Sequence, residues 1–134
     1  MKETELIALA KKAAENSYAP YSLFNVGAAL LCRNGKIYTG CNIENASYSP
    51  TNCAERTAFF KAVSEGERDF DAIAVVGGKG CDFKDYCTPC GVCRQVMSEF
   101  CSGDFRVILG KNGEDFRVIT LRNLLPESFT LYKE

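Results

Sequence analysis

Apolar residues recur along this chain at two different spacings. Leu6, Ile7, Ala10, Ala13 and Ala14 fall at helical intervals and predict an amphipathic helix over residues 3–16. Tyr18-Ala19-Pro20-Tyr21 breaks it. Residues 26–32 form a short apolar run, Asn34-Gly35 is a two-residue hairpin turn signal, and residues 36–41 return as the second strand. A polar loop rich in Asn and Ser covers 42–52, and a helix is predicted over 53–64. Residues 72–77 read as a buried strand followed by a Gly-rich loop. Residues 89–101 read as a helix and 105–109 as a strand. Lys111-Asn112-Gly113 turns the chain into a last strand over 116–120. A short helix over 121–125 ends before Pro126. This order implies a mixed sheet, with an antiparallel hairpin at one end and parallel strands joined by crossover helices. No repeat or linker divides the chain, so residues 1–134 are expected to form one domain, long enough to bury a core without covalent staples.

Charge narrows the range of partners. Lys and Arg number 16 against 17 Asp and Glu, a formal net charge of −1. A near-neutral chain without a basic run lacks the electrostatic footprint of a polynucleotide binder, which points to a small-molecule partner. Lys2 is followed by Glu3 and Glu5, with no uninterrupted apolar region of a signal peptide. No stretch approaches the length of a membrane span. A cytoplasmic protein is expected.

The cysteines change the picture. There are eight, at positions 32, 41, 53, 81, 87, 90, 93 and 101, and there is no histidine. In a reducing compartment, clustered cysteines indicate metal binding or catalysis rather than disulfides. A transition-metal site here must use thiolates, with carboxylates as the other choice, and no imidazole base is available. Cys90 and Cys93 lie three apart at the start of the 89–101 helix, where Thr88 would cap and Pro89 would occupy the first turn. Asn52 would cap the 53–64 helix and put Cys53 at its start. Helix N-termini favour thiolates through free N–H groups and the dipole. Three thiolates leave the fourth zinc position to water, the arrangement of a catalytic site. Glu55 follows one ligand by two residues, within reach of that water as a proton shuttle. Arg56 is placed to donate to the sulfurs.

Other readings stay open at this point. Asn52 with Glu55 also fits a capping box. Cys53 alone fits a buried apolar position and Arg56 alone a solvated charge. Cys90-x-x-Cys93 fits half of a structural zinc site or a redox pair, and Cys87 would supply a fourth sulfur.

At these residues the chain resembles the cytidine deaminase family, in its small homotetrameric branch. Cys53-Ala-Glu with Pro89-Cys-x-x-Cys93 matches the cysteine form of the zinc deaminase signature. Tyr18-Ala-Pro-Tyr-Ser22, Phe24-Asn-Val-Gly-Ala-Ala-Leu30, Gly40-Cys-Asn-Ile-Glu-Asn45, Tyr48-Ser-Pro50 and Cys53-Ala-Glu-Arg-Thr-Ala58 also look like that family, as does Pro89-Cys-Gly-Val-Cys-Arg-Gln95.

The resemblance implies a three-layer α/β/α fold with a mixed five-stranded sheet. It implies that Cys53, Cys90 and Cys93 hold Zn²⁺ and that Glu55 shuttles the proton. It implies that Asn42 and Glu44 bind the ribose, that Phe24 lines the base pocket with Ala54 among the substrate contacts, and that Arg56 supports the thiolates. Ala46 and Tyr48 would come from a neighbouring subunit, and Phe129 would stack on the base from another. The implied reaction is hydrolytic deamination of cytidine and deoxycytidine at C4 in pyrimidine salvage, by a homotetramer with shared sites and no polymer or membrane partner. Leu23 and Asn25 depart from the residues usual beside Phe24, and Cys87 is an additional thiol expected near the site as a non-ligand. The rivals are a related deaminase acting on a cytosine-containing antibiotic nucleoside such as blasticidin S or on a nucleotide, and a four-thiolate structural module.

Overall fold

The computed structural model describes residues 1–131. Its elements are α1 (Glu3–Ala14), β1 (Phe24–Cys32), β2 (Ile37–Cys41), α2 (Ala54–Ser64), β3 (Phe70–Lys79), α3 (Gly91–Phe100), β4 (Arg106–Gly110), β5 (Phe116–Thr120) and α4 (Leu121–Leu124). One five-stranded sheet runs in the order β2-β1-β3-β4-β5. β1 is antiparallel to both β2 and β3, β3 is parallel to β4, and β5 is antiparallel to β4. The three strands β2, β3 and β4 therefore share a direction, with α2 and α3 as their crossovers. The mixed sheet and its terminal hairpin agree with the hydrophobic pattern.

The two faces are covered differently. On one, α1 brings Leu6, Ile7, Ala10 and Ala14 against Ala29, Ala72, Ala74, Val76 and Ile108. Small residues dominate that contact, so helix and sheet approach closely. Gly27 marks the tightest point, because a β-carbon there would stand 1.9 Å from the Ala10 carbonyl oxygen and 2.7 Å from the Ala14 nitrogen. On the other face, α2 and α3 cover Ala28, Leu30, Ile73, Val75, Val107 and Leu109. Phe59 anchors that side, with its ring centroid 5.1 Å from that of Phe70 and 5.9 Å from that of Phe105. These are the three layers that the resemblance implies.

Three local expectations are corrected. β3 keeps Gly77 and also takes in Gly78, where a loop was expected. They are glycines for space. A β-carbon at Gly78 would lie 2.0 Å from the Asp82 carbonyl oxygen, and one at Gly77 would meet Cys87 and Phe24. Asn52 does not cap α2. It sits in an antiparallel bridge with Ile43, which keeps its backbone extended, so Cys53 takes the N-cap position and the Asn52 amide donates to Thr57 Oγ1 instead. Likewise α3 starts at Gly91 with Cys90 as N-cap, and Pro89 lies fully buried ahead of it.

Gly27→Ala should lower stability by about 3 kcal/mol, since the added methyl meets helix backbone that cannot swing aside. Urea denaturation measures this, and an unchanged midpoint would mean that α1 rides farther from β1.

Candidate active site

The site gathers where β1 begins, where β2 and β3 end, and where α2 and α3 start. This is the carboxyl edge of the codirectional strands, where α/β sheets leave a crevice. Backbone bridges hold its rim. Tyr18 N–H donates to the Asn42 carbonyl, Glu44 N–H donates to the Tyr18 carbonyl, and Ile43 and Asn52 exchange both of their bonds. That pairing returns the 42–52 loop to the sheet edge and sets Cys53 beside Asn42.

Cys53 and Cys90 are the N-caps of α2 and α3, and neither sulfur is spent on a capping bond. Cys93 lies in the first turn of α3, buried. Cys53 Sγ is 3.7 Å from Cys90 Sγ, Cys90 Sγ is 3.5 Å from Cys93 Sγ, and all three lie within 4.8 Å of one another. Zinc–sulfur bonds of about 2.3 Å at tetrahedral angles would hold sulfurs about 3.8 Å apart. The trio therefore fits zinc. Among the described residues it forms the one such group, and neither Cys87 nor Glu55 belongs to it.

The surroundings favour sulfur anions. Arg56 Nη2 donates to Cys53 Sγ at 3.2 Å. The Arg56 Nε–H is buried with no acceptor, so the guanidinium has a donor to spare beside the thiols. A hydrogen bond from Cys93, aided by Arg56 and Cys90, holds the Cys53 thiol down to about 5. Burial works against the Arg56 charge, but its bonds to Cys53 and Cys93 outweigh that and raise its pKa. Cys93, the donor to Cys53, is pushed well above its ordinary value. A metal ion bound by this group would take the place of the proton that Cys93 shares with Cys53, releasing it on binding.

Glu55 is the second residue of α2 and only 3% exposed. Burial pushes its carboxyl up to about 7, and the Cys53 charge adds to the shift against a bond from its own backbone N–H. It does not reach back to Asn52 as a capping box would. Together with Val26, Asn42, Thr51, Asn52, Cys53, Ala54, Cys87, Thr88 and Cys90, it lines a cleft of about 230 Å³. A carboxyl poised near neutrality beside a metal-ligating trio can take and return a proton.

A family model described as the cytidine and deoxycytidylate deaminase zinc-binding region matches residues 1–110. The chain belongs to this deaminase family. A relative named cytidine deaminase, from Sporosarcina psychrophila, is 56% identical over 94% of this chain and 90% of its own. The crystal structure of cytidine deaminase from Burkholderia pseudomallei superposes with a TM-score of 0.89 at 49% identity, covering 96% of this chain and all of that one. Blasticidin-S deaminase of Bacillus cereus is 34% identical over 79% of this chain and 77% of its own.

Against the deaminase expectations, the cleft brings together Cys53, Ala54, Glu55, Cys90 and Asn42. Asn42 is nearly buried. Its Oδ1 accepts from Val26 N–H at 3.0 Å and its Nδ2 donates to the Phe24 carbonyl at 2.8 Å, so it braces the start of β1 while facing the cleft. Phe24 stands on the same sheet face as Val26, beside Cys87 and Gly77. Glu44 lies farther out. It accepts from the Tyr21 and Ser22 N–H groups at 3.0 and 3.1 Å and from the Ser22 hydroxyl, and the Ser22 bonds hold its pKa below the usual range. Ala46, Tyr48 at 76% and Phe129 at 69% exposed do not line the cleft of their own chain. Arg94, which sequence reasoning left without a role, ties the start of α3 to the end of α4 by donating to the Pro89 and Leu124 carbonyls, each at 2.7 Å. Its only signal was an Arg directly after Cys-x-x-Cys.

Purified protein should carry one zinc per chain. Cys87→Ser should keep that zinc, and Cys53→Ser should lose it under a mild chelator, both read by elemental analysis. Zinc lost from Cys87→Ser would bring back the four-sulfur alternative.

Proposed function

We propose that this protein is a zinc-dependent cytidine deaminase, converting cytidine and deoxycytidine to uridine and deoxyuridine with release of ammonia. The observation that carries the reading is a buried carboxyl, Glu55, on the helix whose cap is one of three sulfurs arranged for zinc. Names and identities of the relatives support the substrate class.

Cys53, Cys90 and Cys93 hold the metal. When bound, zinc supplies an activated water at neutral pH and a template for the ring carbon that is attacked. Glu55 accepts the proton that this activation releases and places it on ring N3; it then takes the proton of the hydroxyl added at C4 and passes it to the amine, so that the C4–N bond breaks, ammonia leaves and the C4 carbonyl of the product forms. Its burial suits that traffic, because a carboxyl near 7 holds and releases a proton with little loss either way. Arg56 draws charge from the Cys53 sulfur and so weakens that sulfur's donation to the metal. Asn42 and Glu44 bind the ribose, Phe24 walls the base pocket and Ala54 contacts the substrate. Sugar contacts of this kind penalise free cytosine, which leaves them unpaired.

The chain works as one catalytic domain within a homotetramer in the cytoplasm. Ala46 and Tyr48 complete a neighbour's site and Phe129 stacks on the base in another. Their exposure, together with that of Tyr18, Tyr21, Leu23 and Ile43, supports this arrangement. No helix among the described residues is long and apolar enough to cross a membrane.

Zinc-loaded protein should release ammonia from cytidine and deoxycytidine, and far less from blasticidin S, dCMP or free cytosine. Glu55→Gln should keep its zinc and lose about 10³-fold in kcat. Comparable turnover of the parent and Glu55→Gln would remove Glu55 from the mechanism, and faster turnover of blasticidin S would reassign the substrate.

A further inference from the structure

Ile73, Val75 and Gly77 alternate along β3 on the face that carries α2 and α3. The first two fill that face with fully buried side chains. At Gly77, opposite the cleft residue Val26, the row has no side chain. Two other residues take the space. A β-carbon on Gly77 would stand 2.7 Å from Cys87 Sγ, 3.0 Å from Cys87 Cβ and 2.9 Å from Phe24 Cε2. The φ of Gly77 is not positive, so conformation does not call for glycine. Glycine inside a strand weakens it and marks a close approach. Here the close approach is that of Cys87 and Phe24, side by side on a bare patch of sheet.

The two differ in freedom, Cys87 being half-buried and Phe24 exposed. Cys87 lines the cleft beside Glu55. Its neighbour Tyr86 is held by Lys111, 4.7 Å from the ring centroid, and by Arg117 at 5.8 Å, which ties this segment to the end of β4 and to β5. Below them lies the sheet itself. Extra volume here must push the Cys87 sulfur toward the cleft it lines, or tilt the Phe24 ring toward the neighbouring hollow of about 360 Å³ that Phe24 and Gly77 line with Tyr86.

We propose that Gly77 and Cys87 together set the stance of the Phe24 ring, and with it the width of the pocket that receives the pyrimidine. Gly77 is a positioning residue and Cys87 is the wall it makes room for. This rests on the deaminase reading for what the pocket holds. The metal-ligating trio and Glu55 stand on other elements, so crowding at this floor weakens substrate binding more than it slows the bound substrate.

The test compares the zinc-loaded parent with Gly77→Ala, Cys87→Ala, the double variant and Cys87→Leu, measuring KM and kcat for cytidine, zinc content and thermal midpoint. Gly77→Ala should raise KM about tenfold, within the range that contacting pairs reach, with kcat less affected and zinc retained. Adding Cys87→Ala should recover much of that loss. Cys87→Leu, which crowds the same space from the other side, should also raise KM. An unchanged KM in Gly77→Ala, or a double variant no better than the single, would overturn the inference. If Gly77→Ala does not fold, Cys87→Leu decides, and a KM equal to the parent's overturns it. A parent inactive on cytidine would instead overturn the deaminase reading and the pocket's assignment with it.

Discussion

Sulfur anions crowded within a few ångströms repel one another, and a protein that gathers them must supply positive charge from elsewhere. Here two helices begin at the same place. Cys53 and Cys90 sit at the N-caps of α2 and α3, Cys93 follows within the first turn, and Arg56 donates to Cys53. Partial positive charge at a helix N-terminus is fixed by the backbone and needs no rearrangement. Much of the fold serves that convergence. β2 and β3 run in the same direction, so the helices that follow them start at the same edge of the sheet. The bridges of Ile43 with Asn52 and Tyr18, and the bonds from Arg94 to Pro89 and Leu124, hold the two starting points in register.

The same edge gives Glu55 its character. One residue into a helix whose cap faces sulfur, its side chain is directed into the interior rather than to solvent. Burial raises its affinity for a proton, and the neighbouring Cys53 charge works in the same direction. A carboxylate in water at the end of a surface helix would be a cap and nothing more. The proposed chemistry therefore depends on burial as much as on the identity of the residue.

Some of this was legible in the chain and some was not. Periodicity located the elements, because α1, the hairpin and β4 each present an apolar face of regular spacing. The i, i+3 relation of Cys90 and Cys93 is local, so the pattern placed both on one helical turn. Meeting with Cys53 is a long-range matter, which the deaminase resemblance supplied. The helix starts were misplaced by a residue or two, since Asn52 and Thr88 have capping side chains while tertiary pairing decided otherwise. Gly78 looked like a loop residue because close packing and turn formation call for the same amino acid. Ala46, Tyr48 and Phe129 lie outside the cleft of their own chain, and no local pattern says which surface they meet.

The central claim is that three sulfurs hold the zinc and leave one position open beside Glu55. X-ray absorption at the zinc edge of the loaded protein tests it most directly. The account predicts three sulfur scatterers at about 2.3 Å and one lighter oxygen or nitrogen neighbour. A shell of four sulfurs, with Cys87 drawn in as the last ligand, would contradict it.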